Sequence, residues 1–143
     1  MNETIRIYTD GSTMPKNPGP SGAGAVILYP DGREFHLSQY LGDNLTNNIA
    51  ELNAILLSVQ SLKNVDSSIR IEIYSDSQYS IGALTKNKAI KNKELIQKTK
   101  DELAKFEDVE FFKVKAHATD RYNNLADQLA NDAVRTHKIK SYL

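Results

Sequence analysis

Ile5-Arg6-Ile7-Tyr8-Thr9-Asp10-Gly11-Ser12 is a short β-branched and aromatic run that ends in an acid followed by a glycine. Residues of this kind favour a pleated, half-buried strand. Gly11 predicts a turn, which places Asp10 at the strand's carboxyl end. The form returns at Tyr74-Ser75-Asp76-Ser77, where an acid and a small residue again close an Ile-rich run. If the two strands are parallel neighbours, both carboxylates project at the edge of the sheet where open α/β sheets place their ligands.

The segments between these two strands support that arrangement. Residues 11–22 are dense in Gly, Pro, Ser and Asn and predict a loop. Gly22 to Tyr29 is a strand, small at its start as expected where it passes close to other backbone. Pro30-Asp31-Gly32 predicts a turn, and Phe35, Leu37 and Leu41 then alternate with polar residues as in a half-exposed strand. Ile49, Leu52, Leu56, Val59 and Leu62 recur at helical spacing behind Thr46 as N-cap, which predicts a helix over roughly 46–62. That helix makes a parallel crossover to Ile69–Asp76 the natural connection. A short helical piece near 77–84 follows. Ile96, Thr99, Leu103 and Phe106 give another helix face, Val109 to Val114 a last strand, and residues from Asn123 a terminal helix. The order βββαβαβα predicts an α/β fold: a five-stranded mixed sheet, three strands antiparallel and then two parallel, flanked by helices.

At 143 residues the chain has the length of one domain, and we expect a single domain over 1–143. No cysteine is present, which removes disulfides and thiolate metal sites and fits a reducing compartment. No long apolar run or basic-then-apolar leader occurs, so a soluble, cytoplasmic monomer with no membrane partner is the expectation. Net charge is zero but unevenly spread: residues 1–85 hold five Lys and Arg against nine Asp and Glu (−4), residues 86–143 thirteen against nine (+4). Such a chain suits a polyanion held by its basic part with cations on its acidic part, although lysine-rich solvated helix faces give the same count.

Glu51 lies one turn into the first helix, behind Thr46-Asn47-Asn48, whose side chains and free N–H groups could cradle a phosphate or simply cap the helix. Asp127 falls off the apolar stripe of the last helix beside Ala126 and Ala130. Singly, Glu51 and Asp127 read as surface acids. His117 sits in a polar stretch before the last helix, free to titrate near neutrality, while His36 and His137 are expected to have no task. Carboxylates gathered at one edge repel one another unless cations neutralise them, and oxygen-only ligands select Mg²⁺ or Mn²⁺ over zinc or copper.

Taken together, Thr9-Asp10-Gly11-Ser12 with Asn17-Pro18-Gly19-Pro20, Thr46-Asn47-Asn48 leading to Glu51-Leu52, Ser75-Asp76-Ser77-Gln78-Tyr79, and Val114-Lys115-Ala116-His117 leading to Ala126-Asp127-Gln128-Leu129-Ala130 resemble type 1 ribonuclease H along nearly the whole chain. The resemblance implies an endonuclease that hydrolyses the RNA strand of RNA–DNA hybrids, leaving 3′-hydroxyl and 5′-phosphate ends. It implies two Mg²⁺ ions, with Mn²⁺ as an alternative, held by Asp10, Glu51, Asp76 and Asp127, and a role for His117 in activating water or releasing product. It further implies hybrid contacts from Gly11, Ser12, Asn17, Thr46, Asn47, Asn48 and Gln78, with Glu51 and the backbone at Gly11 sensing the 2′-hydroxyl that separates RNA from DNA.

Two departures from the family pattern stand out. There is no Trp, so the tryptophan-bearing basic protrusion of many members is reduced to the lysine-rich stretch 86–93, with Lys86 and Lys88 as expected phosphate contacts or merely part of a solvated linker. Asp10 lies so near Met1 that no hybrid-binding domain is expected before it. Both predict weaker, more salt-sensitive binding. A relative acting on double-stranded RNA or a DNA junction, a binding module on a retired nuclease fold, and a small-molecule phosphatase are the alternatives. The intact acid set speaks against the second, and the Thr46-Asn47-Asn48 cradle has no purpose in the third.

Overall fold

The computed structural model describes residues 3–88, 91–115 and 120–141. Strands β1 (Thr4–Thr13), β2 (Gly19–Leu28) and β3 (Glu34–Leu45) form the antiparallel meander. Helix α1 (Asn47–Gln60) then leads to β4 (Arg70–Ser75), and α2 (Gln78–Lys86) with α3 (Lys93–Leu103) connects β4 to β5 (Asp108–Lys113). Helix α4 (Arg121–Ser141) ends the described chain. The sheet order is β3-β2-β1-β4-β5, with β4 parallel to both β1 and β5. The second crossover is therefore built from two helices, the short piece after Asp76 and the longer one on the Ile96 face.

Period-two alternation in β1 sorts its side chains between two helical layers. Ile5 and Ile7 join Ile27, Ile71 and Ile73 under Ile55 and Val59 of α1 and Leu103 of α3. Tyr8 points the other way and packs with Val26 against Ala126, Tyr122, Leu125 and Leu129 of α4. The centre of the sheet is thus buried on both faces. The α4 side relies on very close approach: a Cβ on Gly24 would lie 2.3 Å from the Ala126 carbonyl oxygen. That contact is the reason the second strand begins with small residues. Thr46 caps α1, its Oγ1 accepting from the Ile49 N–H at 3.3 Å. Asp120 starts α4 by accepting from the N–H groups of Tyr122 and Asn123 at 2.9 and 3.0 Å.

One expectation is corrected. Gly11 does not turn the chain, because β2 keeps pairing with β1 through Asp10↔Gly24, Gly11↔Ala23 and on to Thr13↔Ser21. Asp10 instead stands just past the last β1–β4 pair, Tyr8↔Tyr74, where the parallel half of the sheet opens. Glycine is needed at 11 for another reason: a Cβ there would lie 2.5 Å from the Ala50 carbonyl carbon and the Glu51 nitrogen. The first turn of α1 rests directly on the strand.

Candidate active site

The close approach at Gly11 brings Glu51 to Asp10. Ala50 and Leu52 are fully buried, and Glu51 between them is only 4% exposed. Its Oε1 accepts from the Gly11 N–H, which also donates to Asp10 Oδ1 at 2.9 Å. Asp76 follows the end of β4, two residues beyond Tyr74, as Asp10 lies two beyond Tyr8, so the parallel register sets the two acids side by side. One carboxylate oxygen from each of Asp10, Glu51 and Asp76 lies within 4.8 Å of the others. That spacing suits oxygens gathered on a hard divalent cation.

The electrostatics of these acids point the same way. Burial drives Asp10 up to about 7; hydrogen bonding with Glu51 opposes the rise, and the neighbouring Asp76 and Asp127 add to it. Burial likewise holds Glu51 well above the ordinary carboxylate range, with Asp10 and Asp76 adding to the effect. Among the described residues, no Lys, Arg or His forms an ion pair with these carboxylates. Ionised together without a counter-charge they are unfavourable, and a divalent cation supplies that charge. The donors are all oxygen, so the residues fit a hard metal ion.

Asp127 approaches from the other face. It interacts with Asp10 across the β1–α4 interface but lies outside the 4.8 Å set. Asn131 Nδ2 donates to Asp127 Oδ2 at 3.5 Å, and Ser12 Oγ donates to Asn131 Oδ1 at 2.5 Å. Ser12 therefore turns its hydroxyl to α4 and not to open solvent. Asn123, one turn before Asp127, is 3% exposed; its Nδ2 donates to the Lys115 carbonyl at 3.4 Å, and its Oδ1 is buried without a partner among the described residues. Sequence reasoning overlooked Asn123 and Asn131. Their signal was the four-residue spacing 123–127–131, which puts three polar side chains on one helix face beside Ala126 and Ala130.

The remaining predicted residues fall around this centre. Asn17 Oδ1 accepts from the Asn47 N–H at 3.1 Å, tying the β1–β2 loop to the start of α1. Asn17, Thr46 and Asn48 line a cleft of about 470 Å³ together with Tyr79, Lys88 and Lys91. Gln78, Lys86 and Lys88 line a second one with Lys113. Lys88 thus borders both. His117 lies outside the described residues.

The geometry can be set beside known proteins. A family model for RNase H matches residues 2–135. A ribonuclease H of Caldanaerobacter subterraneus subsp. tengcongensis is 34% identical over 95% of this chain and 94% of its own length. One from Clostridium botulinum is 38% identical over 91% and 95%. Among solved structures, RNase H1 of the halophilic archaeon Halobacterium salinarum superposes with a TM-score of 0.75 at 27% identity, covering 93% of this chain and 98% of that one. LC11-RNase H1, solved in complex with an RNA/DNA hybrid, gives 0.76 at 29% identity with the same coverage. Family model, relatives and fold agree over nearly the full length: the chain belongs to the ribonuclease H family and is of type 1.

Proposed function

We propose that this protein is an endonuclease that hydrolyses the RNA strand of RNA–DNA hybrids and leaves 3′-hydroxyl and 5′-phosphate ends. The observation that carries this is the convergence of Asp10, Glu51 and Asp76, from β1, α1 and β4, on one site at the opening of the parallel sheet, in a chain of this family. Asp127 completes the set from α4. These four acids would hold two Mg²⁺ ions, with Mn²⁺ as an alternative. The chemistry those ions supply when bound is activation of water and stabilisation of the leaving oxygen.

The chain's own residues do the positioning. The Gly11 N–H fixes Glu51 and Asp10 relative to each other, so their oxygens converge before substrate arrives. Glu51 and the backbone at Gly11 would sense the 2′-hydroxyl of the RNA strand. Thr46, Asn17, Asn47 and Asn48 offer polar groups at the start of α1 for a strand's phosphates, a place where free N–H groups favour anions. Gln78, Lys86 and Lys88, which line one cleft with Lys113, would extend that reach. Residues 1–143 would act as one catalytic domain. The lack of cysteine fits a cytoplasmic enzyme, and no described helix is long and apolar enough to cross a membrane. We take it to act as a monomer.

The Asp10→Asn variant tests the assignment. It keeps the side chain's shape and removes a charge, so hybrid cleavage should vanish while the far-ultraviolet dichroism stays that of the wild type. Cleavage retained by a folded variant would remove Asp10 from the mechanism.

A further inference from the structure

Tyr79 lies at the start of α2, three residues beyond Asp76, with its ring against the apolar cluster of Leu52, Ala83 and Ile96 where α1, α2 and α3 meet. Its hydroxyl leaves that cluster for the segment joining α2 to α3. It donates to the Lys91 carbonyl oxygen at 3.1 Å and accepts from Asn92 Nδ2 at 3.0 Å. Asn92 is the residue before α3 and has left-handed backbone, φ 62°, which Asn tolerates better than most residues. It makes no side-chain capping bond to α3, although Asn is among the best capping residues. Its side chain is engaged by the tyrosine instead. Lys91, whose carbonyl Tyr79 holds, and Lys88 line the same cleft as Thr46 and Asn17.

Lysine is a mobile point charge on a four-carbon stem, and the position of its ammonium group depends on where the backbone is held. We infer that Tyr79 is a positioning residue for substrate: with Asn92 it latches the α2–α3 connection so that Lys91 and Lys88 stand over the Thr46 cleft and grip a backbone phosphate of the hybrid. This rests on the hybrid-cleaving reading. It gives Lys88 and Lys91 a fixed place beside the cleft.

Two variants remove the latch by different routes. Tyr79→Phe keeps the ring in its apolar cluster and deletes the hydroxyl. Asn92→Gly keeps the left-handed backbone permissible and deletes the amide. Each should raise KM for a hybrid about fivefold, the scale of one net hydrogen bond, and leave kcat within about twofold. The dependence of kcat/KM on salt should flatten by nearly one unit in the log–log slope, as in Lys91→Ala, since about one phosphate contact is lost. The double variant should match either single one. Wild-type KM and salt slope in both variants, with or without a lower melting temperature, would overturn the latch, as would a fall in kcat at unchanged KM. A wild-type protein that leaves hybrids uncut overturns the underlying reading instead.

Discussion

Replacing Asp10 by Asn should stabilise the metal-free protein, and by an amount that depends on pH. Asp10 is 7% exposed, and burial raises its pKa from 3.8 to about 7. Between those values the unfolded chain has released the proton and the folded chain retains it. The native state then binds more protons than the unfolded state, so stability falls as pH rises, by about 1.4 kcal/mol per unit for this one group. The stabilising protonated state is fully present below about 4 and lost as pH passes through about 7. Over roughly three units the loss sums to about 4 kcal/mol, an upper figure because Glu51 shares the titration. Asn carries no charge at any of these pH values. The variant should therefore equal the wild type near pH 4 and exceed it by about 2–4 kcal/mol at pH 8, measured by urea unfolding in chelator with circular dichroism. Mg²⁺ should narrow the difference at pH 8 by binding the ionised wild-type site and not the variant. A stability difference that stays flat from pH 4 to 8, or a variant weaker than wild type at pH 8, would refute the claim that burial, with the neighbouring acids, disfavours the ionised form of Asp10.

Gly11→Ala should lower stability in urea unfolding and reduce the hybrid-cleavage kcat of the folded fraction on the order of a hundredfold, because its Cβ would lie 2.5 Å from the Glu51 nitrogen and must displace the first turn of α1. Ile55→Ala, in the fully buried core between α1 and the sheet, should cost about 2–5 kcal/mol in urea unfolding, and Ile55→Val about 0.5–1.5. Thr46→Ala loses the cap that accepts from the Ile49 N–H and should cost about 1 kcal/mol by the same assay; a larger KM for the hybrid would add evidence for a phosphate contact.

The fold was legible where side-chain pattern and backbone demand agree. Ile5, Ile7, Ile71 and Ile73 alternate with polar or aromatic residues, and the helix between the two runs made a parallel connection of β1 and β4 the natural one. Thr46 is a hydroxyl ahead of an apolar helical stripe, and it caps α1 as such a residue should. Gly11 misled because glycine signals either a turn or a close approach, and only the helix lying across it distinguishes the two. In the site, the matching ends of two strands paired Asp10 with Asp76, whereas Glu51 and Asp127 joined them only through the family resemblance. Nothing near Glu51 in sequence shows that it is 4% exposed, since its burial comes from a strand forty residues away. That the Ser12 hydroxyl donates to Asn131, on a helix more than a hundred residues later, is likewise invisible beside Asp10 in the sequence.

If these four acids serve the cutting of RNA paired to DNA, activity must depend on both the hybrid and the metal. The most direct measurement is a cleavage assay with end-labelled RNA–DNA, RNA–RNA and DNA–DNA duplexes of one sequence, each with Mg²⁺, with Mn²⁺ and with chelator. Cutting of the RNA strand in the hybrid alone is expected, dependent on the metal, with 5′-phosphate and 3′-hydroxyl products. Equal cutting of the RNA–RNA duplex, or hybrid cutting that survives chelator, would contradict it.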